Sequence, residues 1–161
     1  MAWSGCGAVG VEVKICGLTR AADALAAVDA GARWIGVVFA GGPRTLTVPA
    51  AADVLGQVPR GIGRVGVFAG VAAPGVLEAV EALELDAVQL YGPVDEPHRA
   101  LAARGTPVWR VARIADRLDA AAVRPMAHGA SVVLVEARVS GRLGGTGVPL
   151  DLGHAGSTES P

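Results

Sequence analysis

The chain has 161 residues, of which 52% are apolar and 18% charged. That length is enough for one domain with a core of its own, and the composition excludes a disordered protein. A formal net charge of -1 gives no reason to expect nucleic acid or an anionic membrane as a partner. No apolar run approaches the roughly 18 residues that a membrane span needs, and residues 1–10 do not resemble a signal peptide.

The chain has few residues that could form disulfides or bind metal ions. Cys6 and Cys16 are the only cysteines, too few for a disulfide framework. The three histidines are scattered without metal-ligand spacing. We therefore expect a cytoplasmic protein that binds no metal.

Strand-like and helix-like segments alternate along the chain. The predicted strands are 11–16, 34–39, 64–69, 86–91, 107–112 and 131–136, and the predicted helices are 20–30, 48–58, 73–84, 95–104 and 116–128. Such alternation is typical of parallel βαβ units. We expect an N-terminal extension over 1–10, a partial barrel domain over 11–152 and a disordered tail over 153–161.

Two architectures suit this α/β pattern: a doubly wound sheet and an incomplete (β/α)8 barrel of the TIM type. Central strands of a doubly wound sheet are usually continuous apolar runs, since helices cover both faces. Here polar residues recur along the strands, which favours a barrel whose interior faces a substrate. We assign to that interior face Glu12, Lys14, Cys16, Arg64, Gln89, Tyr91, Arg110 and Glu136.

Lys14-Ile15-Cys16-Gly17 is the most informative segment. Because side chains alternate along a strand, Lys14 and Cys16 share one face. Lys14 is also the only lysine, and Cys16 comes at the carboxyl end of the strand, where such folds keep their active sites. The alternative is a half-exposed strand with a structural cysteine.

Five segments in order resemble phosphoribosylanthranilate isomerase, an enzyme family of tryptophan biosynthesis. They are KICGLTR at 14–20, GVVF followed by Gly42-Pro43-Arg44, RVGVFAG at 64–70, LDAVQLYG at 85–92 and GGTGVPLDL at 144–152. The family commonly has Ser-Pro-Arg in the second of these and His-Gly at the end of the fourth. The resemblance covers nearly the whole chain but only about six of the eight strands of such a barrel, so it implies a C-terminally truncated member.

The resemblance implies an Amadori rearrangement of N-(5-phosphoribosyl)anthranilate to 1-(2-carboxyphenylamino)-1-deoxyribulose 5-phosphate, with no cofactor. An acid protonates the ring oxygen and a base takes the proton from C2. By resemblance Cys16 is the base, and Glu136 is the acid where the family carries an aspartate. Arg44 matches the arginine that holds the anthranilate carboxylate. The candidates for substrate binding also include Gln89, Tyr91, Gly144, Gly145, Thr146 and Gly147.

Two other hypotheses stay open. A six-stranded barrel leaves its first and sixth strands as open edges, so the chain could be a non-catalytic fragment that self-associates or is completed by a partner chain. The second keeps the barrel but changes the reaction, as in indole-glycerol-phosphate synthase. That family uses a lysine beyond the first strand, and this chain has none there.

Overall fold

The computed structural model describes residues 10–93, 95–115, 117–140 and 147–150. Within these ranges, six parallel strands form one sheet in sequence order. They are β1 Lys14–Cys16, β2 Trp34–Val38, β3 Gly63–Phe68, β4 Ala87–Leu90, β5 Val108–Ile114 and β6 Val132–Ala137. The predicted tail 153–161 and all but the last residue of the predicted N-terminal extension lie outside the described residues.

The helices are α1 Ala21–Asp29, α2 Val48–Leu55, α3 Ala73–Leu83, α4 Glu96–Ala103 and the short α5 Ala120–Val123, which continues as a 3-10 turn over Arg124–Ala127. The long fifth helix predicted over 116–128 is therefore wrong. Pro125 lacks the amide hydrogen that an α-helix needs in its interior, so the segment tightens there. No helix in the described ranges is long and apolar enough to cross a membrane.

Helix ends follow the sequence signals. Thr47 caps α2 by accepting a hydrogen bond from the Ala50 amide at 3.4 Å, and Pro74 lies in the first turn of α3. Gly31 and Gly105 follow α1 and α4 with φ of 94° and 69°, the left-handed conformation that ends many helices.

The main apolar core lies between the sheet and the helices. Its most deeply buried members come from both layers, and the largest are Phe68, Ile35, Leu55 and Leu101. Each βα unit thus buries the apolar stripe of its helix against the outer face of the strands, as parallel sheets require.

The sheet is strongly curled. Strands in a flat sheet are about 4.8 Å apart, which would separate β1 from β4 by about 14 Å. Instead, Lys14 Nζ on β1 donates a hydrogen bond of 2.8 Å to Gln89 Oε1 near the end of β4. The rings of Trp34 on β2 and Trp109 on β5 meet edge to face, with centroids 4.8 Å apart. The predicted incomplete barrel is confirmed as a half-barrel with a concave inner face.

The interior assignment of Arg64 and Arg110 is wrong. The register pairs Arg64 with Ile35, and Arg110 with Leu90 and Val133, so both arginines lie on the outer face. There Arg64 donates to the Val58 and Leu83 carbonyls, and Arg110 donates to the Met126 carbonyl at 3.2 Å. Each long side chain satisfies backbone carbonyls beneath the helices instead of facing the barrel interior.

The two edge strands carry exposed apolar side chains. Val13, next to β1, and Ile15 on β1 are 46% and 38% exposed, and Val132 and Val135 on β6 are each 38% exposed. In the described part of the chain, β1 pairs only with β2, and β6 only with β5. Both edges therefore present unpaired backbone beside apolar surface.

Candidate active site

Cys16 ends β1 on the concave face, as its position after Lys14 predicts. It is half-buried and unpaired with any other described cysteine. Its neighbour in the sheet is Gly36, where an added Cβ would lie 2.9 Å from Cys16 Sγ and 3.1 Å from Lys14 Cε. Glycine at this position therefore leaves the space in which the thiol and the lysine stem lie.

Lys14 is fixed one layer deeper than Cys16. Besides its hydrogen bond to Gln89, its Nζ lies 5.9 Å from the centre of the Trp109 ring, within the range of a cation–π contact. Gln89 is 7% exposed, so its side chain acts as a buried acceptor for the lysine. Gln89, a predicted binding residue, thus lies in the site, and its side-chain oxygen accepts the hydrogen bond from Lys14.

Arg44 lies at the rim, in the loop after β2. Its Nη1 donates to the Cys16 carbonyl at 3.3 Å. The guanidinium packs over Gly17, where an added Cβ would come within 2.7 Å of Nη1. Gly17 also has φ of 76°, which favours glycine. Because Gly17 has no side chain, the exposed Arg44 can pack against it and reach the backbone carbonyl of Cys16.

Tyr91 and Glu136 come together on the opposite side of the concave face. Tyr91 follows β4, and its hydroxyl donates a hydrogen bond of 3.0 Å to Glu136 Oε2 on β6. Arg113, the register partner of Glu136 on β5, places its Nε 3.3 Å from Glu136 Oε1. One carboxyl group thus has a phenol at one oxygen and a guanidinium at the other.

The environment raises the pKa of Tyr91 strongly above its ordinary value of 10.0. Burial is the main cause, because a phenolate in the site would lose its hydration. The negative charge of Glu136 and the hydrogen bond to it add to the effect, and the charge of Cys16 adds a smaller part, while a hydrogen bond with Gln89 opposes it. Tyr91 is therefore a neutral hydrogen-bond donor over the physiological pH range. Its pKa responds to the charges of both Cys16 and Glu136, the two predicted catalytic residues.

Sequence reasoning missed Arg113. The predicted fifth strand ends at 112, whereas β5 continues to Ile114, so Arg113 fell outside it. Counting alternate residues from Trp109 through a longer strand would have placed Arg113 on the inner face. Of the predicted glycine-rich loop, Gly144, Gly145 and Thr146 lie outside the described residues, and Gly147 is exposed with φ of 69°.

The site brings a thiol, a carboxyl group and two guanidinium groups to one end of the half-barrel. Among the described residues, no cluster of three or more His, Cys, Asp or Glu side chains is arranged to hold a metal ion. The thiol lies at the carboxyl end of β1 and the carboxyl group at that of β6. Groups of these two types can take up and release protons, and guanidinium groups attract anions.

Residues 13–158 match the family model described as N-(5'phosphoribosyl)anthranilate (PRA) isomerase. The isomerase of Paracoccus denitrificans is 41% identical over 133 residues, which are 80% of this chain and 61% of that protein. The isomerase of Magnetococcus marinus is 36% identical over 152 residues, or 94% of this chain and 70% of that protein. The chain therefore spans less than two thirds of the first relative's length.

Solved structures agree with these relatives. The phosphoribosyl anthranilate isomerase of Thermotoga maritima superposes with a TM-score of 0.69 at 26% identity, covering 83% of this chain and 64% of that one. The protein from Thermus thermophilus gives a TM-score of 0.66 at 30% identity, covering 81% and 64%. A further phosphoribosyl anthranilate isomerase, with a TM-score of 0.63 at 26% identity, covers 78% and 75% and was solved with reduced 1-(o-carboxyphenylamino)-1-deoxyribulose 5-phosphate.

The raised pKa of Tyr91 predicts a loss of stability at alkaline pH. The unfolded chain releases the phenolic proton at about pH 10, whereas the folded chain holds it to higher pH. The stabilisation is therefore complete below about pH 10 and is lost as the pH rises toward the folded-state pKa. In urea titrations, the free energy of unfolding should fall more steeply above about pH 10 for the wild type than for Tyr91→Phe. If the free energy of unfolding fell equally steeply with pH in the wild type and in Tyr91→Phe, the raised pKa of Tyr91 would be contradicted.

Proposed function

We propose that this chain, which belongs to the N-(5'-phosphoribosyl)anthranilate isomerase family, catalyses the isomerisation of N-(5'-phosphoribosyl)anthranilate in tryptophan biosynthesis. The observation that carries the proposal is the placement of Cys16 and Glu136 on one concave face, at the carboxyl ends of β1 and β6. Both lie within electrostatic range of Tyr91, since a negative charge on either raises the pKa of its phenol.

In the proposed reaction Glu136 gives its proton to the furanose ring oxygen. The bond between that oxygen and C1 breaks, and the anilino nitrogen supplies the electron pair that makes a protonated Schiff base. Cys16, as thiolate, then removes the proton from C2, and the electrons of that bond form an enolamine. Return of a proton to C1 and loss of the O2 proton give the ketone of the 1-deoxyribulose product. General acid or base catalysis of each proton transfer typically raises the reaction rate about 10²–10⁴-fold.

Arg44 is the proposed partner of the anthranilate carboxylate. Its guanidinium is exposed, beside the Cys16 carbonyl, so a bound carboxylate would bring the anilino end of the substrate next to the base. A planar, permanently charged fork suits bidentate binding of a carboxylate. The Tyr91 ring, on the other side of the concave face, is the proposed stacking surface for the aromatic ring, and Gly144 to Gly147 form the proposed loop near the substrate.

The test is the isomerase rate of the purified 161-residue chain on freshly generated phosphoribosylanthranilate, followed by loss of anthranilate-type fluorescence. Cys16→Ser and Glu136→Gln should each lower kcat by about 100-fold or more, because each removes one proton transfer. Glu78→Gln, which removes the same charge from the exposed surface of α3, is the matched control and should leave the rate unchanged.

Two results would count against the proposal. If both site variants kept the wild-type rate, the assigned chemistry would be wrong. If the chain were folded by circular dichroism and showed no turnover, the non-catalytic hypothesis would replace the proposed activity.

The proposal includes self-association through the open edges of the half-barrel. The exposed valines and isoleucine of the edge strands, together with unpaired backbone groups, form the kind of edge that pairs with another chain. One solved relative from Thermotoga maritima is described as a dimeric isomerase from which monomers were generated. Sedimentation velocity should show a dimer or larger species for the wild type and a smaller one for Val135→Lys, whose charge on β6 would oppose edge pairing. A wild-type monomer at all concentrations would contradict this part.

A further inference from the structure

The carboxyl group of Glu136 needs more positioning than an aspartate would. Glutamate is one methylene longer than aspartate, so its carboxyl group has one more torsion to fix. A misplacement of about 1 Å of a catalytic group can cost on the order of 100-fold in rate. The chain therefore has to hold this carboxyl group in place by contacts from other strands.

We propose that Tyr91 and Arg113 are positioning residues for the reaction, and that together they fix the carboxyl group of Glu136 on the concave face. This inference rests on the proposed function. The Tyr91 hydroxyl holds Oε2 at 3.0 Å, and the Arg113 Nε lies 3.3 Å from Oε1. One contact comes from the residue that follows β4 and the other from β5, so they hold the group from two directions.

Arg113 and Tyr91 are each held in place by further hydrogen bonds. The Nη2 of Arg113 donates to the Val139 carbonyl at 2.8 Å, which fixes the plane of the guanidinium. Tyr91 directly follows β4, whose four residues are all buried, and its amide donates to the Phe68 carbonyl at 3.1 Å. Glu136 is 22% exposed and Arg113 28% exposed, so the contact is partly shielded from water and from dissolved salt.

The two carboxyl oxygens of Glu136 have different neighbours, the Tyr91 hydroxyl at Oε2 and the Arg113 guanidinium at Oε1. Glu136 Oε1 is shielded from solvent and has no hydrogen-bond partner among the described residues. Its contact with Arg113 is an ion-pair distance without the alignment of a hydrogen bond. A buried acceptor without such a bond costs free energy, and the positive charge of Arg113 at 3.3 Å offsets part of that cost.

Tyr91 does not itself supply the proton. Burial is the main cause of the strongly raised pKa of Tyr91, and the cost of placing a phenolate against the Glu136 carboxylate adds to it. Its hydroxyl therefore stays a donor to Glu136 throughout the reaction, which is the behaviour of a positioning residue.

A titration tests the contact without any enzyme activity. Tyr91 is the only tyrosine in the sequence, so phenolate absorbance in a rapid pH jump, read before unfolding, reports this residue alone. In Glu136→Gln the pKa of Tyr91 should fall toward its ordinary value but stay above it, since burial remains while the neighbouring negative charge is gone. The control variant Glu78→Gln should titrate as the wild type does. The same titration in wild type and Glu136→Gln would overturn the inference.

Kinetics test the positioning role itself. Tyr91→Phe should lower kcat by about 10-fold and change KM by less than about 3-fold, because the carboxyl group is displaced by a fraction of an ångström. In a Glu136→Gln background the same change should have no further effect, since residues that act through one another are not additive. Tyr91→His, which keeps an N–H donor at this position, should recover part of the lost kcat. Additive effects of the two substitutions would overturn the inference.

The two tests separate this inference from the proposed function. A folded chain without turnover would refute the proposed activity, while the titration would still decide whether Tyr91 and Glu136 are coupled. If turnover depended on Glu136 but the titration of Tyr91 were the same with and without Glu136, the positioning inference alone would be refuted.

Discussion

Contacts across the concave face of the sheet hold its strands in the curl on which the site depends. The Trp34 and Trp109 rings meet edge to face, and Lys14 reaches Gln89 over a distance that a flat sheet would not allow. These contacts join β1 to β4 and β2 to β5, so they hold the sheet in a curl. At Gly63 an added Cβ would lie 2.1 Å from the Trp34 ring, so the close packing beneath the site also depends on a residue without a side chain.

The site follows from this curl and from the alternation of side chains along strands. Because Cys16 and Glu136 lie on inner-face positions near the carboxyl ends of β1 and β6, the curl turns them toward a common space that also contains Tyr91. The chain belongs to a family of phosphoribosylanthranilate isomerases and spans 61% of the length of its Paracoccus denitrificans relative. The half-barrel thus carries the proposed acid and base on its strands and the proposed carboxylate-binding residue, Arg44, in the loop after β2.

Local signals in the sequence predicted the strands, most helix ends and the place of Cys16, because each depends on neighbours along the chain. The errors arose where a residue's role depends on distant strands. Polarity alone suggested that Arg110 faces the interior, whereas the strand register turns it outward and gives Arg113 the inner position. The contact between Tyr91 and Glu136 joins residues 45 positions apart, and the curl of the whole sheet creates it. No local pattern encodes that distance.

The most direct test of the curl is a nuclear Overhauser spectrum of the indole rings in the folded chain. The sequence has three tryptophans, so a Trp3→Phe variant leaves only Trp34 and Trp109 to assign. Rings with centroids 4.8 Å apart should give strong cross-peaks between their protons. If these cross-peaks were absent in a folded chain, β2 and β5 would lie apart, and the proposed acid and base would not share one concave face.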